Sequence, residues 1–170
     1  TQILIPDMAK YAHRNHPIQH AIYLYNWLEQ PWKTQMYVRD VMDKLYSSAP
    51  DGLCGDEDNG QTSAWYIFSA AGFYPVTPGT GEYALGSPLF KNVKMHLRNG
   101  KTLTIDAPEN SKENIYIQSI QKNGNVYDKT FITYDDILKG STFKLQMDKK
   151  ANKNRGIEAE TKPYSMSNNR

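Results

Sequence analysis

The apolar residues of this chain change period near Phe73, and that switch constrains the fold more than any other feature. Upstream, Ile18, Ala21, Ile22, Tyr25 and Leu28 recur at helical spacing behind Pro17, which a first helical turn tolerates. They predict a helix over about 17–29. Pro31 breaks that helix and can open the next, in which Val38, Val41, Met42 and Leu45 repeat the stripe over about 32–47 until Ser47, Ser48, Ala49, Pro50, Asp51 and Gly52 end it. With so short a link, the two form an αα-hairpin. Ser63, Ala64, Trp65, Ile67, Phe68 and Ala71 predict a third helix over about 61–71, capped by Gly72. Three helices are few for a closed core, so the apolar faces of the hairpin need partner helices from upstream sequence or another subunit.

Downstream the period is two. Val93, Met95 and Leu97 alternate with Lys94, His96 and Arg98, Asn99-Gly100 signals a hairpin turn, and Leu103 and Ile105 alternate on the return. Ile115, Ile117 and Ser119 alternate with Tyr116, Gln118 and Ile120 ahead of a second Asn-Gly pair at 123–124. Thr130 to Thr133 and Thr142 to Met147 add further strands. The expectation is an α+β chain: helices over 1–76, an antiparallel sheet or sandwich of about six strands over 77–153, and a polar tail over 154–170 without periodicity, extended or disordered.

Composition narrows the function. The formal charge is +2, with 20 basic and 18 acidic residues spread along the chain, so no basic block suits nucleic acid or an anionic membrane. No apolar run approaches the length of a membrane span. The start, Thr1 to Pro6, lacks the charged and apolar regions of a signal peptide, which would belong to an upstream part. A single cysteine, Cys54, excludes an internal disulfide and a Cys-rich metal site and leaves the redox compartment open. Twelve Tyr and three Trp suit the apolar faces and hydroxyl edges of sugar rings, but the same residues serve strands and half-buried surfaces, the commoner use.

Two clusters can carry chemistry. Gly55-Asp56-Glu57-Asp58-Asn59-Gly60-Gln61 gathers three carboxylates directly before the third helix. In an extended loop Asp56 and Asp58 point the same way, giving one pocket two carboxylates while Glu57 turns toward the scaffold. The alternative is an acidic cluster complementing the dipole of the helix it precedes. An EF-hand fails, because its sixth position is Gln61 and its twelfth Ile67. The second cluster is His13-Arg14-Asn15-His16-Pro17 with His20. His16 and His20 share a helical face, as a transition-metal pair would, yet no Cys or second His pair completes four ligands and the Glu of a zincin motif is absent, which favours local backbone bonding, with sugar hydrogen bonding as a third reading. Trp32, Trp65, Phe68 and Tyr74 read as core rather than sugar platforms, given their spacing.

The run from Ala49 to Val76, centred on Cys54-Gly55-Asp56-Glu57-Asp58-Asn59-Gly60-Gln61 and followed by Ser63-Ala64-Trp65-Tyr66, resembles the signature of glycoside hydrolase family 92. So do Tyr23-Leu24-Tyr25-Asn26, Gln30-Pro31-Trp32-Lys33-Thr34-Gln35 and Leu85-Gly86-Ser87-Pro88-Leu89-Phe90, and the similarity runs from about Tyr11 to Asn154. The resemblance implies an N-terminal β-sandwich followed by an (α/α)6 barrel, of which residues 1–76 would be the last helices and the active-site loop. It implies removal of terminal α-mannose from glycans with inversion, assisted by Ca²⁺, in a periplasmic or secreted protein. Matched positions make Asp58 the general base and Asp56 its assistant, His13, Asn15 and Glu57 substrate contacts, and Asn15 and Asp58 calcium contacts. The general acid, a Glu, belongs to the upstream N-terminal part, so this chain would be inactive alone. One motif departs. His13-Arg14-Asn15-His16-Pro17 stands where the family usually reads His-Gly-Asn-Glu-Pro, and imidazole is a poor Ca²⁺ ligand beside carboxylate. The alternatives to an enzyme fragment are a non-catalytic sugar-binding or structural module and a degenerate, inactive relative.

Overall fold

The computed structural model describes residues 11–169; the opening ten residues of the expected helical region lie outside them. Two helices match their periodicity. Helix α1 spans Pro31–Leu45 with the proline in its first turn, where the missing N–H has no intrahelical partner to lose. Helix α2 spans Gln61–Ala71 and stops at Gly72, whose φ of 104° is left-handed and whose N–H bonds the carbonyls of Phe68 and Ser69. That is the glycine C-cap expected from the sequence.

The helix expected over 17–29 is instead two 3₁₀ segments, His16–Ile18 and Ala21–Asn26. Its apolar stripe is real, since Ile22 and Tyr23 are buried, but competing hydrogen bonds tighten the winding. The Thr34 hydroxyl reaches the carbonyls of Ile22 at 3.0 Å and Tyr23 at 3.4 Å, which in an α-helix would accept from Asn26 and Trp27. Trp27 N–H bonds Leu24 O instead, an i→i+3 contact. Glu29, at φ 61°, then turns the chain into α1.

Eight strands follow: β1 (Phe73–Tyr74), β2 (Glu82–Leu85), β3 (Asn92–His96), β4 (Thr102–Asp106), β5 (Tyr116–Lys122), β6 (Asn125–Val126), β7 (Phe131–Thr133) and β8 (Thr142–Asp148), with a one-turn helix α3 (Tyr134–Leu138) before the last. They form a three-stranded sheet β1-β2-β7 and a five-stranded sheet β3-β4-β8-β5-β6. The expected antiparallel pairing dominates, with one exception: β8 enters between β4 and β5, antiparallel to β5 and parallel to β4. Both Asn-Gly turns close hairpins, and Asn123 and Gly124 carry φ of 50° and 84°, the left-handed pair such a turn requires. Strict alternation in β5 fails at one point. A register shift between Ile117 and Ser119 lets Ile117 and Ile120, three apart, both face the core, as a bulge does.

The small sheet divides two cores. Phe73, Leu85 and Ile132 face the large sheet and join Leu103, Ile105, Ile117, Ile120, Phe143, Leu145 and Met147. Their alternates Tyr74 and Ala84 face the helices, with Ile22, Tyr23, Val38, Val41, Met42 and Trp65. Two buried α1 side chains bind the halves together. Gln35 Oε1 accepts the Ile117 N–H at 2.9 Å, and Arg39 donates to Pro88 O, Asn110 Oδ1 and Ser111 O at 2.8–3.0 Å. Burial lowers the Arg39 pKa, partly offset by the Asp43 carboxylate, and its hydrogen bonds go to neutral oxygens.

The polar end is not the extended or disordered tail expected over 154–170. Arg155 is buried and donates to Lys129 O, Thr161 O accepts from both the N–H and the hydroxyl of Thr130, and Trp27 Nε1 donates to Tyr164 O. Composition suggested a solvated tail because these anchors are backbone carbonyls and long polar side chains. Among the described residues no helix is long and apolar enough to cross a membrane.

Candidate active site

Gly55 brings the two chemical clusters together. It has φ 78°, and a Cβ placed on it would lie 2.6 Å from Arg14 Cβ, so only glycine lets the acidic loop pass against the 13–17 turn. The loop then winds left-handed through Asp58 (φ 49°), Asn59 (φ 57°) and Gly60 (φ 97°) into α2. It is not extended, so the simple alternation that set Asp56 and Asp58 on one side does not describe it. Glu57 turns inward and caps the helix, its carboxylate accepting the N–H groups of Gly60 and Ser63. Bonds from Ser63 and Gly60 hold its pKa below the usual carboxylate range. The helix-dipole alternative is thus the role this structure gives to Glu57.

Asp58 projects outward, its side chain 58% exposed, and forms an ion pair through Oδ2 with Nδ1 of His16, which is only 13% exposed. The other imidazole nitrogen, Nε2, lies 2.8 Å from Thr62 Oγ1. Thr62, fully buried in the first turn of α2, also donates from that oxygen to the Asp56 carbonyl at 3.1 Å. A hydroxyl has one proton. When Thr62 gives it to Asp56 O, the same oxygen is left to accept from His16 Nε2. Asp56 and Asn15 are exposed on the two facing segments.

Beneath this surface lies an aromatic layer. His13 is 2% exposed, with Nδ1 2.7 Å from the Tyr11 hydroxyl, Nε2 2.7 Å from the Tyr46 hydroxyl and its ring 4.2 Å from that of Trp65. Burial, with His16 adding to it, lowers its pKa to about 3, so the ring is neutral. Tyr46 continues the chain toward the site by its hydroxyl contact with Thr62 O. Burial raises the pKa of Tyr11, Tyr23 and Tyr46. These tyrosines and Trp65 are core, and His13 supports the 13–17 turn from below rather than reaching its surface.

A model of the glycosyl hydrolase family 92 catalytic domain matches residues 4–149. The chain belongs to this family. It is similar to an inverting family 92 mannosidase of Bacteroides thetaiotaomicron, with 52% identity and a TM-score of 0.89 over 95% of this chain and 22% of that one. A family 92 α-mannosidase of the same organism, solved with mannoimidazole, is 40% identical with a TM-score of 0.90 over 94% of this chain and 21% of its own. An uncharacterized secreted glycosidase of Arthroderma benhamiae is 29% identical over 138 residues, which is 79% of this chain and 18% of that protein. The chain therefore spans about a fifth of the length of the relatives it matches.

Within this family 92 chain, the calcium contacts the resemblance implies make only part of a coordination shell. Ca²⁺ takes six to eight hard oxygens, whereas Asn15 and Asp58 offer one amide oxygen and one carboxylate, half of which His16 already holds. Among the described residues no three His, Cys, Asp or Glu side chains converge as a metal site. Periodicity carried no signal for Thr62 or Tyr46. Thr62 stood in the family run only as the residue after Gln61, and its buried position on the first turn of α2 is visible in the structure alone.

Proposed function

We propose that the full-length protein hydrolyses terminal α-mannosides of glycans with inversion, and that Asp58 is its general base. The observation that carries this reading is an exposed carboxylate held by the imidazole of a second segment, within a sequence 52% identical to an inverting mannosidase. Asp58 takes a proton from a water whose oxygen bonds to the anomeric carbon. The glycosidic C–O bond breaks on the opposite face, and the leaving oxygen receives its proton from an acid outside these 170 residues. Inverting carboxyl pairs stand about 6.5–9.5 Å apart to admit that water. Asp56 assists by orienting the water or raising the basicity of Asp58. Calcium assistance, in this reading, needs oxygen ligands from the rest of the protein, and the relative described as secreted supports a periplasmic or secreted location.

The test is Asp58→Asn in the full-length protein, assayed on an aryl α-mannoside and a mannobiose, with the first-formed anomer of mannose followed by NMR. Turnover should fall by about 10² to 10⁴-fold with little change in KM, and less for Asp56→Asn. The wild-type product should first appear as β-mannose. Normal turnover in Asp58→Asn removes the assignment. A wild-type protein silent on every α-mannoside, together with its imidazole-bound Asp58, would establish the inactive relative instead.

A further inference from the structure

We propose that Thr62 is a positioning residue for the base, acting through His16 to fix the Asp58 carboxylate; the proposal rests on Asp58 being the base. The need for such a device follows from the loop. Asp58 occupies a left-handed backbone conformation at φ 49° and exposes 58% of its side chain, so little of its own surroundings limits how the carboxylate turns. A base must hold its water in line with the anomeric carbon, and a small misplacement costs about 10²-fold.

The chain of contacts runs from the most rigid part of the site outward. Thr62 is fully buried on α2, and its β-branched side chain has few rotamers in a helix. Its Oγ1 bridges the Asp56 carbonyl at 3.1 Å and His16 Nε2 at 2.8 Å. With Nε2 anchored there, the half-buried imidazole presents Nδ1 to Asp58 Oδ2, as the partner of one ring nitrogen sets what the other does. One hydroxyl therefore registers three things against α2: the acidic loop at residue 56, the 13–17 turn and, through the ring, the base. Tyr46, whose hydroxyl approaches Thr62 O and bonds His13, supports the same turn from beneath.

The experiment uses the full-length protein with Thr62→Val, Thr62→Ser, His16→Ala and Asp58→Asn, singly, and Thr62→Val combined with Asp58→Asn. Thr62→Val keeps the shape and removes the hydroxyl, so kcat should fall about 10-fold or more with KM within about twofold. Thr62→Ser should restore most of the loss. In the Asp58→Asn background, Thr62→Val should change kcat by less than about twofold, because the group it positions is gone. Should valine at 62 not fold, His16→Ala carries the same expectation for kcat while leaving the Thr62–Asp56 bond in place. The proposal is overturned if Thr62→Val or His16→Ala keeps full kcat, if serine is no better than valine, or if the double variant loses the product of the two single losses. Should Asp58→Asn itself turn over normally, the reading of Asp58 as base falls, and that result is distinct from any of these.

Discussion

On one side of the β1-β2-β7 sheet the packed cluster is apolar but for the Tyr127 hydroxyl, which bonds Phe131 O, with Leu103, Ile105, Ile117, Ile120, Phe143, Leu145 and Met147 closing against Phe73 and Ile132. On the other, Trp65, Tyr23 and Val38 share theirs with His13, Gln19, Asn26, Thr34, Thr62 and Ser69, every one of them buried. Hydrogen bonds tie these side chains down, the buried Asn26 Oδ1 excepted: Asn26 Nδ2 reaches Leu85 O at 2.9 Å, Tyr23 donates to Ser69 Oγ at 2.8 Å, and the Trp65 indole donates to Gln19 O at 3.2 Å. An apolar core rewards volume and tolerates small shifts, whereas a hydrogen-bonded core accepts one arrangement. The half that carries the candidate site is the half built by the second method. It also leaves Ile67 and Leu28 at 60% exposure or more.

The comparison breaks first where the apolar core is cut. Ile120→Ala should lower stability by about 2–5 kcal/mol and leave KM and kcat per folded molecule unchanged, measured by urea unfolding and active-site titration on one preparation. A loss of specific activity beyond the folded fraction would show the two cores to be coupled. Glycines sharpen it next. Gly55→Ala and Gly100→Ala both place a side chain at a left-handed φ, 78° and 80°, which costs about 1–2 kcal/mol. Only Gly55 meets a neighbour, Arg14 Cβ at 2.6 Å, while nothing lies within 4 Å at Gly100. Gly55→Ala should therefore be the more destabilising and should alone reduce turnover. Equal effects would mean that the approach of the two clusters is not tight.

His13 has its pKa drawn down to about 3 by burial, against about 6.5 in an unfolded chain. Between those values the unfolded state binds a proton that the folded state refuses, so stability is whole above about pH 6.5 and falls on acidification, at most about 1.4 kcal/mol per unit. His13→Gln should flatten that slope in denaturant midpoints between pH 6.5 and 4. An unchanged slope would place the acid sensitivity elsewhere. The smallest effect belongs to the sandwich surface, where Val126→Ala, at 77% exposure on the short edge strand β6, should change stability by less than about 0.5 kcal/mol. A larger loss would mark that edge as covered in the full-length protein.

The sequence by itself determined whatever repeats locally. Helices α1 and α2, the Gly72 cap, both Asn-Gly hairpins, the alternating strands and the family motif from Ala49 to Val76 are legible because period, turn chemistry and motif each depend on neighbours in the chain. Tertiary structure decided the rest. It wound residues 21–26 as 3₁₀ because Thr34 claims their carbonyls, shifted β5 so that Ile117 and Ile120 share a core, and laid β8 parallel to β4. It also divided three adjacent acids between two jobs. Glu57 caps the helix that follows it through nearby N–H groups, whereas Asp58 meets His16, a residue more than forty positions away, and no local period records that contact.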